Sequence, residues 1–384
     1  MGTAGAARVD TVAVHAIARE YETAASIVDA ALRTHLSGLE FGGATAGRAH
    51  VAHGDAVRDA LFGVASALRQ WSRAAPRSRR HSGCRPTATE TPTPAPASGW
   101  GSSPMSENFD AASRLAQGRP AVEELQHYVW ASHLLGYQHP DLTMHASQVR
   151  DWYGTEDGMD LGALQRDCLA LDAAVRASQD ALAVQERQLA QLSVVWHGSG
   201  GEAARDLLRR HGAASAAVAA AVRTTAEALT ALREDLWKAL GAKADATVAG
   251  GERAGDSRAR WLAAATTVVT GAGDRATASE LVEQEVKPFV AGPVATDWLT
   301  AVQQAVASVS TAYERSVAEI AAEQSPVFDI PGDLGPAWTQ PPMSTCDEHG
   351  ADDAPPVRRP EPCRRRGAAR PWWHRSKHPP LPRP

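Results

Sequence analysis

Two long apolar stripes separated by a short glycine-bearing connection constrain this chain more than any other feature. From Leu164, the positions Cys168, Leu171, Val175, Ser178, Leu182, Gln185, Leu189, Leu192 and Trp196 follow in alternating steps of four and three. After "HGSGG" the rhythm returns at Ala204, Leu208, His211, Ser215, Val218, Val222, Thr225, Leu229, Leu232 and Leu236. Such spacing keeps one face of a helix apolar turn after turn. The connection is too short for either helix to go elsewhere, so the expectation is an antiparallel helical hairpin with Leu182, Leu189, Leu229 and Leu232 in its seam.

The connection admits two readings. Gly198, Gly200 and Ala203 satisfy the dinucleotide fingerprint, but that motif needs a strand before it and an acid-bearing strand after it, and both flanks here are helical in pattern. As an elbow it accounts for more residues. Ser199 and Glu202 have the spacing of a reciprocal capping box. Gly198 offers left-handed geometry to end the first helix, and Trp196 in the last turn reads as a lid over the end of the hairpin. The chain is 43% hydrophobic but only 5% aromatic, with alanine supplying much of the apolar fraction. Alanine favours close-packed helices over sheets, so the fold class expected is all-α.

The rest divides by pattern. Ile17, Tyr21, Ala24, Ile27 or Val28, Ala31 and His35 mark one helix face, with Asp10 or Thr11 as its cap. "SGLEFGGATAG" interrupts it, and Val57, Leu61, Val64, Leu68 and Trp71 mark a second. Residues 9–75 thus read as a helical hairpin, and residues 76–119 as a disordered Pro/Ser/Thr-rich linker. "MSENFD" within it resembles a fresh amino terminus, as if two reading frames had been joined. A larger helical domain is expected over 120–335, with Pro120 in a first helical turn. Its last three helices fall near 256–270, 277–290 and 294–323, separated by "TGAGD" and "AGP". Residues 336–384 read as a disordered tail, basic from Val357 onward.

Several groups could carry chemistry. His133, His139, Asp141 and His145 are metal-ligand types, although their spacing follows no usual zinc pattern; they are the basis for an alternative reading as a cell-envelope hydrolase. Glu156, Asp157 and Asp160 form an acidic loop, with Asp160 placed to cap the heptad helix. His211, alone on an apolar seam, reads as a packed core residue whose neutral form is the one easily buried. The tail mixes arginines with Trp372 and Trp373, which suits single-stranded nucleic acid or anionic lipid as a second alternative. The cysteines, Cys84, Cys168, Cys346 and Cys363, form no CxxC pair. The net charge of -5 gives no general case for a polyanionic partner. No stretch approaches the ~18 apolar residues of a membrane span, and Asp10 and His15 interrupt any apolar leader.

"Trp196-His197-Gly198" between two long helices resembles the Trp-x-Gly elbow of the small helical-hairpin proteins exported by type VII (ESX) secretion in actinobacteria. Residues 9–75 resemble the EspC-like secretion-associated family in length, alanine-rich face and glycine-bearing loop. "LLGYQHPDLTMHASQVRDWYGTEDGMDL", "WLAAATTVVTGAGDRATASELVEQEVKPF" and "FDIPGDLGP" are similar to segments of larger actinobacterial proteins of that group. The resemblance implies a non-enzymatic protein without cofactor, a secreted substrate or partner-binding component. It would pair helix to helix with itself or with a small hairpin protein, and would be secreted or held at the cell envelope, the alternative being the cytoplasm. In that family a Tyr-x-x-x-Asp/Glu motif follows the second helix of the hairpin, whereas here the matches, Tyr137 to Asp141 and Tyr153 to Asp157, precede the elbow.

Overall fold

The computed structural model describes residues 8–75, 109–323 and 326–329. These residues are all-α, with no strand among them beyond an isolated antiparallel bridge between Val9 and Trp196. Helix α1 (Thr11–Ala31) starts where the Asp10 carboxylate accepts the N–H groups of Val12 and Ala13 at 3.1 Å, and it continues into a π-helical turn, Leu32–Leu36. Helix α2 (Val51–Ala74) buries Val57, Leu61, Val64, Leu68 and Trp71 along one face.

Helix α3 (Ala111–Leu134) begins nine residues ahead of Pro120, so part of the expected linker is helical and Pro120 lies inside a helix rather than in its first turn. Asp110 supplies the start by accepting from the Ser113 N–H at 3.0 Å, and Ala111, Leu115 and Gly118 supply a buried face. The proline is tolerated because it and Ala116, whose carbonyl loses its partner, both lie on the exposed side, where water can replace the missing bond. A short helix, α4 (Gln148–Tyr153), leads to a tight turn at Gly154–Glu156.

Helix α5 (Leu161–Val195) opens on Asp160, which caps Ala163 at 2.8 Å. Helix α6 (Ser199–Glu252) follows after three residues. Gln185 meets His211 at 3.3 Å and Gln165 meets Arg233, so position numbers fall along one helix as they rise along the other and the pair runs antiparallel. Leu229 and Leu232 are fully buried, while Leu182 and Leu189 are half-buried. Burying each leucine fully contributes about 1.5–3 kcal/mol.

The seam is only part of what α5 buries. A second row, Asp167, Ala174, Ala181 and Gln188, is also buried, and α5 packs extensively against α1 as well as α6. The small side chains of Ala174 and Ala181, and of Ala24 and Ala25 on α1, allow that approach. Helix α6 likewise runs well past Leu236, where the stripe read from the sequence ends, and continues it through Leu240, Lys243 and Thr247.

Helix α7 (Arg258–Thr270) ends at Gly271 in left-handed conformation, φ 73°. From there the chain departs from expectation. Helices α8 (Arg275–Leu281), α9 (Lys287–Phe289) and α10 (Leu299–Ala322) form one uninterrupted helical run, joined by π-helical stretches at Val282–Val286 and Val290–Trp298. "AGP" does not break it. Pro288 and Pro293 lack an N–H to donate, and widening the turn locally absorbs both the missing bond and the ring. The described residues belong to one compact unit, with α1 on α5 and α2 against α6 and α10. Among the described residues no helix is long and apolar enough to cross a membrane.

Candidate functional site

The elbow lies where α1, α5 and α6 meet. Trp196 leaves helical geometry (φ -135°, ψ 110°) and so ends α5, while Gly198 at φ 95°, ψ 179° opens α6. Gly198 therefore serves as the start of the second helix rather than the stop of the first, in a region essentially closed to side chains. The expected capping box is not formed. Ser199 is the first residue of α6, no side chain caps its start, and the Glu202 N–H donates to the Gly198 carbonyl at 3.0 Å.

The neighbouring glycines have a steric purpose. A Cβ on Gly200 would lie 3.3 Å from the Trp196 ring, and one on Gly201 would lie 2.5 Å from the Trp196 carbonyl oxygen. The indole rests on a turn stripped of side chains, and Arg205 Nη1 donates to the Trp196 carbonyl at 2.9 Å. Trp196 is only half-buried, at the edge of a small cluster of Ile17, Tyr21, Leu192 and Leu208. It flanks this end of the hairpin rather than sealing it as a lid. Residues 8–10 run antiparallel to it: the Asp10 N–H donates to the Val195 carbonyl, and the His197 N–H to the Arg8 carbonyl, both at 3.0 Å. Val9, Val12 and Val194 are exposed at this same end.

A buried polar cluster lies away from the elbow. Glu156 and Lys243 are both fully buried and 2.5 Å apart. Thr155 Oγ1 donates to Glu156 at 2.8 Å and accepts from Lys243 at 2.6 Å, and His50 Nε2 lies 3.4 Å from the carboxylate. Burial lifts the Glu156 carboxyl, but the hydrogen bond from His50 and the charge of Lys243 outweigh it and hold the group below its ordinary value. Burial lowers Lys243 more than Glu156 raises it. A second buried acid, Asp167, accepts the backbone N–H of Glu40 at 3.0 Å and of Phe41 at 2.8 Å, and burial raises its carboxyl.

Sequence reasoning passed over Asp167, Lys243 and His50. The signal for Lys243 was present: steps of four, three and four carry the α6 stripe from Leu236 through Leu240 and Lys243 to Thr247. A lysine on an apolar stripe needs a buried partner, and Glu156 of the acidic loop supplies it. Asp157 pairs with Arg119 at 2.6 Å. With Asp110, Arg119 and Asp160 it lines an open cavity of about 690 Å³ between the starts of α3 and α5.

The proposed ligand set is not assembled. His133 Nδ1 lies 3.2 Å from the Tyr137 carbonyl and its ring stacks on Trp130, His139 Nδ1 accepts from the Asp141 N–H, and His145 contacts Ser147. Among the described residues no three His, Cys, Asp or Glu side chains are grouped to hold a metal ion. His211 is buried between Tyr21, Gln185 and Phe328, and desolvation lowers its pKa to about 4. The basic tail lies outside the described residues. Comparison of the chain with family models, curated proteins and solved structures returned no match.

Proposed function

We propose that this chain is a non-enzymatic protein of type VII (ESX) secretion, a secreted substrate or partner-binding component working by helix–helix pairing at the cell envelope or beyond it. The observation that carries the reading is the elbow itself. Trp196 and Gly198 stand at a three-residue reversal between two long helices, with the indole half-exposed beside the exposed Val9, Val12 and Val194. Large apolar side chains gathered at one end of a helical protein suit recognition by another protein. The buried polar groups support the same reading, since Glu156, Lys243 and Asp167 are occupied by partners within the chain.

The test is export. A tagged chain is expressed in an actinobacterial host with and without a working type VII ATPase. Wild type is expected in the envelope or culture fraction only when the ATPase works, and Trp196→Ala is expected to stay inside. Retention of wild type in both hosts, with no helical partner recovered on the tag, refutes the proposal.

A further inference from the structure

Residues 8–75 lack a core of their own. Helix α1 touches α5 more extensively than it touches α2, and α2 spreads across α6 and α10. The apolar faces that would close an isolated hairpin, Ile17, Tyr21 and Val28 on one helix and Leu61, Leu68 and Trp71 on the other, are buried within the larger assembly.

The loop between the two helices is held by backbone contacts that read its path. Asp167 takes the amides of Glu40 and Phe41. The Asp160 N–H donates to the Thr45 carbonyl at 2.9 Å, the Arg48 N–H to the Asp157 carbonyl at 2.9 Å, and the Ala49 N–H to the Thr155 carbonyl at 2.8 Å. Tyr313 Oη donates to the Ala46 carbonyl at 3.1 Å and stacks on Phe41, which is fully buried. Gly47 has φ 99°, and a Cβ there would lie 3.0 Å from the Glu156 Cα. His50 then enters the Glu156–Lys243 cluster.

We infer that the face built from α5, α6, α10 and residues 154–160 is a receptor for a glycine-looped helical hairpin. Residues 8–75 of this same chain occupy it, and the receptor holds them without the peptide connection. Two buried acids form the socket, Asp167 for a pair of backbone amides and Glu156 for a histidine. A fitting partner offers two successive backbone N–H groups, an aromatic side chain on the second of those residues, a glycine at positive φ, and a histidine entering the second helix. This inference does not depend on the secretion reading.

The experiment starts from the full chain carrying a protease recognition sequence inserted between residues 76 and 108. After complete cleavage, the two fragments are expected to co-elute at one-to-one stoichiometry on size exclusion and to appear as one complex in native mass spectrometry. Separation or precipitation of the fragments overturns the inference. Asp167→Asn and Glu156→Gln, each first shown by circular dichroism to leave the uncleaved chain helical, should weaken the cleaved complex about tenfold or more, as expected for losing a hydrogen bond to a buried charge. Should Glu156→Gln unfold the uncleaved chain, Asp167→Asn alone decides. Fragment affinity unchanged by Asp167→Asn would overturn the socket.

Discussion

Replacing Lys243 with methionine removes the one ammonium beside a carboxylate that has no access to water. Methionine matches the stem of the lysine in length, so the perturbation is mainly electrostatic. His50 at 3.4 Å and Thr155 at 2.8 Å remain to Glu156, but neither carries the fixed charge that made ionised Glu156 tolerable there. Breaking a buried pair from one side costs about 3–5 kcal/mol. At ~2 °C per kcal/mol for a unit of this size, the melting temperature should fall by roughly 6–10 °C at neutral pH.

The pH dependence gives a sharper test. With its cation gone, Glu156 gains affinity for a proton, and the native state binds that proton more readily than the unfolded state does. The deficit should therefore shrink as pH falls from about 8 to 5. Glu156→Gln strands Lys243 instead, whose folded pKa burial already lowers. Its deficit should shrink as pH rises, because the native state sheds that proton first. Thermal melts of both variants across pH decide the matter. A Lys243→Met melt within a degree of wild type, or deficits that move with pH in the same sense, would refute the reasoning.

The remaining predictions concern the elbow and the seam. Trp196→Ala should cost about 1–2 kcal/mol in chemical denaturation, since a half-buried ring loses part of the area a core tryptophan would; a loss above 4 kcal/mol would place the ring in a core. Gly198→Ala forces a side chain into φ 95° and should cost about 1–3 kcal/mol, with no loss meaning that the turn adopts another conformation. His211, held neutral with a pKa of about 4, contributes stability that is fully present above about pH 6.5 and is lost as pH falls toward 4, by on the order of 3 kcal/mol. His211→Leu should flatten that part of the pH profile relative to wild type, and superimposable profiles would contradict the assignment.

The helical class and the inward-facing residues were legible because period and burial coincide. Leu164, Leu171, Leu229 and Leu232 on the seams, and Tyr21, Leu68 and Trp71 near the N terminus, are buried as their spacing predicts. What spacing could not convey was the number of neighbours each helix has. The row Asp167, Ala174, Ala181 and Gln188 is too small or too polar to stand out, yet it is buried because α5 packs against α1 as well as α6 and because the loop at Glu40 and Phe41 sits on Asp167. Two prolines misled in the other direction: Pro120 lies inside a helix rather than in its first turn, and Pro293 lies within a widened helical turn rather than between two helices. At the elbow, Gly198 was read for its backbone freedom and Gly200 as part of a fingerprint, whereas the lack of a Cβ on Gly200 and Gly201 is what seats the indole. The pairing of the buried acids was not legible because their partners lie far away in sequence: Glu156 is joined to Lys243 and to His50, and Asp167 to Phe41.

Native-state hydrogen exchange on the intact chain tests most directly whether the first hairpin is an integral part of the fold. The amides of α1, of Phe41 in its loop, and of the central turns of α6 should open with one common free energy and shift together under mild denaturant. Exchange of residues 8–75 as a separate, less stable unit, while α5 and α6 stay protected, would contradict the account.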